Sequence, residues 1–314
     1  MRSDKKSMFG KKSKKHRINI TLLVMAMFGV IHLFIFNYLP MFGIVIAFKD
    51  MDYKLDIVRA LFNSDWVGFD NFKAFLQDRD FFNIMRNTVL LNIIKLIITF
   101  PIPILFAIII ADQRSRKFTG IIQTITCFPN FISWVVYGGI VISLFSSSGV
   151  INEIFMRIGL YDTAKNFMTE EQYFWWIAII TDVIKGTGWG SVIYISAIAG
   201  VDPELYDSAQ IDGASRFQRH RYITIPCITG TIVVLLLLAI SGILNSNFDQ
   251  FYILQNDLNS ARSEVIDTYV YKLGFSLRRY SYVTAVGLFK SIIAFILLAG
   301  SNLVTKKTIG RGIF

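Results

Sequence analysis

The sequence predicts an all-α membrane protein with six transmembrane helices and both termini in the cytoplasm. Three observations predict it. The 314 residues are 54% hydrophobic and 17% charged, with a mean hydropathy of +0.51, whereas a soluble domain carries about 25% charged residues; only lipid accepts so much apolar surface. Six stretches are long and apolar enough to cross a bilayer, at residues 18–47, 84–111, 118–145, 173–200, 227–248 and 283–304, a crossing needing roughly 20 such residues. The basic residues are also sorted. Residues 1–17, 112–117, 201–226 and 305–314 hold 17 Lys and Arg, while 48–83, 146–172 and 249–282 hold 11 beside 15 acidic residues. The positive-inside rule turns the first set toward the cytoplasm.

Residues 1–17, MRSDKKSMFGKKSKKHR, concentrate much of the net charge of +10 directly before an apolar run. That placement marks a topogenic signal and not a nucleic-acid surface. A cleaved signal peptide is the rival reading, but the run at 18–47 exceeds an h-region of about 7 to 15 residues and no clear small-residue cleavage site follows. The run is therefore read as a retained first span. Residues 18–304 form one transmembrane domain, with a cytoplasmic loop at 201–226 and a cytoplasmic tail at 305–314. Pro40, Pro101, Pro103 and Pro129 interrupt the first three spans; such breaks survive in lipid where neighbouring helices or a cavity satisfy the freed backbone groups. The first outer segment, around Asp70 to Phe82, reads as an amphipathic surface helix. Cys127, Cys227, His16, His32 and His220 stand singly, so no metal site or redox pair is expected.

The loop VDPELYDSAQIDGASRFQRHRYITIP carries two sets of helix punctuation in succession. Asp202 caps a helix with Pro203 at its first position and Glu204 near the positive end of the dipole, and Gly213 supplies a left-handed stop. Ser215 with Gln218 is a capping box, opening a second short helix expected to run toward Tyr222 and stop before Pro226. The result is a helix, glycine turn, helix knuckle facing the cytoplasm.

In that loop Asp207-Ser208-Ala209, Gly213 after three residues, then Ile223, Ile225 and Pro226 resemble the pattern of binding-protein-dependent ABC importer permeases: Glu-Ala-Ala, three residues, Gly, nine residues, Ile, any residue, Leu-Pro. The departures are Asp for Glu, Ser for Ala and Ile for Leu. The stretches YLPMFGIVIAFKDMDYKL, WVGFDNFKAF and RNTVLLN resemble the carbohydrate-uptake branch, particularly permeases for complex oligosaccharides, so the resemblance covers nearly the whole chain. It implies the type I permease fold in the plasma membrane of a bacterium. It further implies a second, similar permease, two cytoplasmic ATPase subunits that bind ATP and Mg, an external sugar-binding protein and an oligosaccharide substrate. The residues it implies for ATPase coupling are Glu204, Tyr206, Asp207, Ser208, Ala209, Asp212, Gly213, Ala214, Phe217 and Pro226.

The chain itself lacks the phosphate-cradling signature GxxxxGK[ST]. Gly10-Lys11 is a near miss, and Gly186 to Gly190 lie within an apolar span, where Gly186 and Gly190 read as a close-packing pair. ATP hydrolysis therefore acts on this subunit mechanically. An intramembrane enzyme would need a nucleophile with a base, or paired carboxylates, and neither is apparent. A channel or secondary transporter of another class, or an importer of a non-sugar solute, is the alternative; the first would not explain a docking knuckle.

Charges inside spans are costly and mark cavities or partners. Thr88, Asn92, Lys95 and Thr99 share one helical stripe, Trp175, Asp182, Lys185 and Trp189 a second, and Asn245, Asn247, Phe248, Asp249 and Tyr252 gather near a third. With Lys290 they make a candidate sugar path, because sugar hydroxyls need hydrogen bonds and their C–H faces pack on rings. Structural pairing is the competing reading. Asp182 and Lys185 are spaced to neutralise each other, which leaves Lys95 or Lys290 as an unpaired cation suited to an acidic oligosaccharide, unless the partner permease supplies carboxylates. Trp175 and Trp176 read as an interfacial belt, and Arg86 as a snorkelling end residue.

Overall fold

A computed structural model of the chain describes residues 20–51, 59, 62–113 and 115–309. The basic tail 1–17 and the final residues 310–314 lie outside the described residues. The chain divides into two compact units, Met1–Val45 and Ile46–Phe314. In the first, α1 (Ile20–Leu33) passes through a π-helical turn (Phe34–Tyr38) into α2 (Leu39–Met41). The chain continues as a 3-10 helix over Phe42–Phe48.

The second unit opens on a two-stranded antiparallel clip, β1 (Lys49–Asp50) with β2 (Asp65–Trp66), in which Lys49 faces Trp66. The outer helix expected around residues 70–82 is the short α3 (Asp70–Leu76). Phe75 on it is buried with Ile84, Ile266, Tyr269, Tyr282 and Val286, which seats α3 against the last long helix. Then come α4 (Phe81–Thr99) and α5 (Pro101–Ala111), separated at Phe100, followed by α6 (Arg116–Phe131) and α7 (Trp134–Phe145). The expected third span at 118–145 is thus broken. Ile132 and Ser133 are extended, and the Ser133 hydroxyl caps α7.

After α8 (Val150–Arg157) comes α9 (Glu171–Ala199), the centre of the packing. It meets α4, α5 and α6, and buries Phe174, Ile177, Thr181, Lys185, Ser191 and Tyr194. The knuckle follows as α10 (Pro203–Ile211) and α11 (Arg216–Arg219), then a π-helical turn (His220–Thr224) and α12 (Ile225–Ser241). The expected span at 227–248 ends early, at Ser241; a turn leads to α13 (Phe248–Leu254). The chain closes with α14 (Ser260–Ser263), α15 (Ile266–Tyr271) and α16 (Tyr280–Ile309).

Among the described residues five helical stretches are long and apolar enough to cross a membrane: Ile20–Phe48, Phe81–Ala111, Trp134–Arg157, Arg216–Ser241 and Tyr280–Leu303. The expected crossing at 173–200 corresponds to α9, which has the length, 29 residues, but not the apolarity. A helix whose neighbours are other helices can carry polar side chains that would be excluded from lipid.

The helix begun at Ser215 does not stop before Pro226. Proline lacks an N–H and its ring presses on the carbonyl four residues earlier. Here that residue, Tyr222, lies in a π-helical turn whose wider winding takes up the misfit, so the helix runs on into α12. Pro40 repeats the arrangement, with Phe36 inside the turn Phe34–Tyr38.

Candidate functional site

The knuckle is built by local chemistry. The Asp202 carboxylate accepts from the Glu204 N–H at 3.0 Å, and Pro203 opens α10. Gly213 has φ +77°, and the bonds from the Gly213 N–H to the Gln210 carbonyl (3.1 Å) and from the Ala214 N–H to the Ala209 carbonyl (2.9 Å) complete a Schellman stop. Ser215 and Gln218 close both halves of the capping box, at 2.7 and 3.3 Å. Neither α10 nor α11 has a buried residue. Ile211 is 87% and Phe217 72% exposed, beside exposed Glu204, Asp207, Ser208 and Asp212. Two bare large apolar side chains on a doubly capped turn are uncommon on a surface that stays in water. Tyr206, Ala209 and Ala214 are half-buried behind it.

In the spans the charges are paired differently from expectation. Asp182 makes no direct ion pair with Lys185; its carboxylate meets the Lys95 ammonium at 3.2 Å, joining α9 to α4. Lys95 also donates to the Gln250 amide oxygen at 2.9 Å, and the Gln250 amide nitrogen reaches the Ala178 carbonyl (2.7 Å) and Thr181 hydroxyl (3.0 Å). Lys185, 7% exposed, instead caps the broken end of α6. Its ammonium donates to the carbonyls of Pro129 (2.8 Å), Asn130 (3.2 Å) and Ile132, and lies over the rings of Trp134 and Tyr137. The α-helical ladder ends here, the Pro129 carbonyl keeping only the Ile132 N–H at 3.3 Å, so the ammonium supplies donors to a cluster of helix-end carbonyls. Lys290 is bonded to Asp267. Lys95 and Lys290 are both paired, and the free cation expected from the sequence is replaced by two inter-element ties.

Asn92 joins the same interior, donating to the Ser246 hydroxyl at 2.9 Å, and the Thr88 hydroxyl accepts from the Ile266 N–H at 2.9 Å. The third stripe is the accessible one. Asn245, Asp249 and Tyr252 are exposed, Asn247 caps α13, and the Phe248 and Tyr252 rings stack at 5.3 Å. Tyr271 and Phe275 extend that platform by ring contacts of 5.0 to 5.2 Å. It borders a cavity of about 760 Å³ lined by Tyr252, Tyr271, Asn83, Gln255, Asn256 and Glu264, where burial pushes the Glu264 carboxyl up against the pull of Lys272. Trp189 lies apart, exposed, with its ring edge to Phe131. Trp176 is exposed as a belt residue would be, whereas the Trp175 indole donates to the Arg262 carbonyl at 2.8 Å. Arg86 does not only snorkel; its guanidinium holds the Ala261 carbonyl at 2.9 Å. Sequence reasoning missed Gln250, Asp267, Tyr271 and Phe275. Gln250 was within reach, one residue from Asp249 in a polar and aromatic run; Asp267 carries no local signal.

With that geometry in view, the model for binding-protein-dependent transport system inner membrane components matches residues 81–309. The chain belongs to this family. Protein LplB of Bacillus subtilis is 40% identical over 91% of this chain and 88% of its own length. The polygalacturonan/rhamnogalacturonan transport system permease protein YteP, also of Bacillus subtilis, is 37% identical over 97% and 95%. Among solved structures, a chain of a bacterial ABC transporter involved in the import of the acidic polysaccharide alginate superposes with TM-score 0.84 at 34% identity, covering 92% of this chain and 96% of that one. A second structure of that type holds the alginate transporter with an alginate pentasaccharide-bound periplasmic protein. This permease is a multi-pass component of the plasma membrane and a transport subunit, not an enzyme.

Proposed function

We propose that this permease passes an acidic oligosaccharide, delivered by an extracellular binding protein, into a bacterial cell by alternating access, as one half of a permease pair driven by two ATPase subunits that hold ATP and Mg. The observation that carries the reading is the likeness to the alginate importer over nearly the whole chain, at 34% identity; YteP, named for polygalacturonan and rhamnogalacturonan, points to the same substrate chemistry. The acidic character now rests on these relatives, because Lys95 and Lys290 have carboxylate partners of their own.

In this reading α9 is a further crossing, the fourth in chain order, which brings the total to six. Its 29 residues rise about 43 Å at 1.5 Å per residue, more than the roughly 30 Å hydrocarbon core. Six crossings return both termini to the cytoplasm, together with the knuckle. The knuckle docks in an ATPase cleft, supported by its exposed Ile211 and Phe217 and its fixed turn. The sugar meets the platform of Phe248 and Tyr252 with Asn245, Asn247 and Asp249 at its edge.

The test is purification from native membranes followed by reconstitution. Two ATPase copies and a second permease should accompany this chain, and vesicles should accumulate a uronic-acid oligosaccharide on the side away from the binding protein when ATP is supplied on that side. Transport by the isolated chain, or pumping toward the binding protein, would overturn the assignment. Preference for a neutral oligosaccharide over the uronic one would overturn its acidic part.

A further inference from the structure

His220 has no part in the expected machinery, yet it sits at a junction of hydrogen bonds. Its Nε2 lies 2.8 Å from the Asp112 carboxylate, and its Nδ1 lies 3.2 Å from the Thr224 hydroxyl. That hydroxyl lies 2.9 Å from the phenol of Tyr206. Asp112 caps the end of α5, Tyr206 sits at the middle of α10, and His220 and Thr224 are the first and last residues of the π-helical turn. Four side chains thus link the helix that carries the docking surface, the root of α12 and the cytoplasmic end of α5.

The direction of each bond is set by chemistry. A carboxylate only accepts, so His220 Nε2 carries the hydrogen and donates to Asp112. In the neutral ring Nδ1 then accepts from the Thr224 hydroxyl, whose oxygen in turn accepts from the Tyr206 phenol. Every donor in the chain has one acceptor, and the network is anchored on the buried Thr224 with Asp112, Tyr206 and His220 half-buried around it; hydrogen bonds linked in series in this way favour one another's geometry. A cavity of about 710 Å³ opens beside it, bordered by Asp112, Gln113, Tyr206, Arg219, His220 and Thr224. The cavity is also bordered by Ile110, Ile198 and Val201, so the hydrogen bonds add a directional link to the apolar packing of α5, α9 and α12 around Ala107, Ile198 and Ile228.

We propose that Asp112 and His220 are positioning residues, which carry displacement of α10 to α5 as well as along the backbone into α12. The proposal rests on the reading of the knuckle as the ATPase dock. Without the tie, α10 reaches α5 through its junction with α9, which packs on α5, and through the Gly213 turn and the backbone of α12; the tie adds a direct side-chain link between α10, the π-helical turn and α5. With it, a push on Tyr206 arrives at the helical pair α4 and α5, whose Lys95 holds Asp182 and Gln250.

The test uses the complete assembly in vesicles and reads uronic oligosaccharide accumulated per ATP hydrolysed. Import by the wild-type assembly comes first; its absence would refute the functional reading itself. Given import, Asp112→Ala and His220→Ala should each lower the ratio threefold or more, and the double variant should fall no further than the worse single. Asp112→Asn, whose amide oxygen still accepts from Nε2–H, should keep at least two thirds of the ratio. An unchanged ratio in Asp112→Ala overturns the tie, as do losses that multiply in the double variant or an Asn substitution as damaging as Ala. A lower yield of assembly at an unchanged ratio counts against it too, since that is the mark of a purely structural role. Should His220→Ala fail to assemble, the Ala and Asn variants at the half-exposed Asp112 decide.

Discussion

The close approach of α9 to α6 can be tested with one methyl group. A Cβ built on Gly188 would fall on the Thr126 carbonyl and lie 2.5 Å from the Cys127 nitrogen. Ordinary contact begins at 3.4 Å, so relieving the Cys127 contact alone needs about 0.9 Å and the closer Thr126 carbonyl needs more. Both obstructing groups are backbone and cannot rotate aside. Overpacking of this kind costs about 1–3 kcal/mol, offset by the 0.5–1 kcal/mol or so that Ala gains over Gly within a helix. For Gly188→Ala the net loss is about 2 kcal/mol, near the upper end because neither neighbour can yield. Gly186, two residues earlier, has nothing within 4 Å of its added Cβ, so Gly186→Ala should gain roughly 0.5–1 kcal/mol. The pair also decides between two packing faces, since the sequence spacing marks Gly186 and Gly190 while the structure puts the tightest contact at Gly188. The assay is the fraction of detergent-purified assembly that survives graded heating, read by size exclusion. A midpoint lowered by Gly188→Ala and raised or unmoved by Gly186→Ala supports the reasoning. Equal effects, or a larger loss at Gly186, would refute it.

Other perturbations follow from the same geometry. Gly213→Val places a β-branched residue at φ +77°, costing about 1–3 kcal/mol; binding-protein-stimulated ATP hydrolysis and uptake should fall while insertion into the membrane, followed by fractionation, continues. Burial pushes the Asp78 carboxyl up, but the Asp80 N–H, the hydroxyls of Tyr269 and Tyr282 and the charge of Arg279 outweigh it and hold the carboxyl below its ordinary value. Its ionised form therefore adds stability that is present above the unfolded value of about 3.9 and lost as pH falls through the lower folded value; Asp78→Asn should remove that acid-side slope from melting curves, and an unchanged slope would show that other groups cause it. Lys290→Met strands the Asp267 carboxylate, a loss of up to about 3 kcal/mol, and Asp267→Leu in the same chain should restore most of it. The two sugars, neutral and uronic, should be affected equally by Lys290→Met; selective loss of the uronic one would return Lys290 to substrate recognition.

What was legible in the sequence is what depends on neighbours along the chain. The Asp202 cap, the Gly213 stop and the Ser215–Gln218 box are decided within four residues, and each forms as its spacing implies. The pairing of Lys95 with Asp182 and of Lys290 with Asp267 depends on which helices adjoin, and the 3.6-residue repeat says nothing about that. Spacing along α9 favours Lys185 for Asp182 because the two are close in the chain; in the fold the Lys185 ammonium goes to the carbonyls of Pro129, Asn130 and Ile132 at the break, where the helical ladder of α6 ends. Pro129 marked a disturbance of span three without saying where the chain would turn. Pro226 was read as a stop because a proline normally ends what precedes it, and only a wider turn upstream lets the helix pass. Apolar length alone recovers five candidate spans among the described residues, and α9 falls short of that measure while burying polar Thr181, Lys185 and Ser191 against its neighbours.

That wider turn also sets a phase. Successive residues of an α-helix advance by about 100°, so the surplus residue held in His220–Thr224 decides which azimuth of α12 faces the bundle for a given heading of the knuckle. Removing one residue there would let the winding revert to the ordinary pitch and swing the patch of Ile211 and Phe217 around the axis of α12 by roughly that angle, while leaving every amino acid of the patch in place. The heading of the knuckle and the face that α12 turns to its neighbours are in this way set by one element, with a single inserted residue fixing the angle between them.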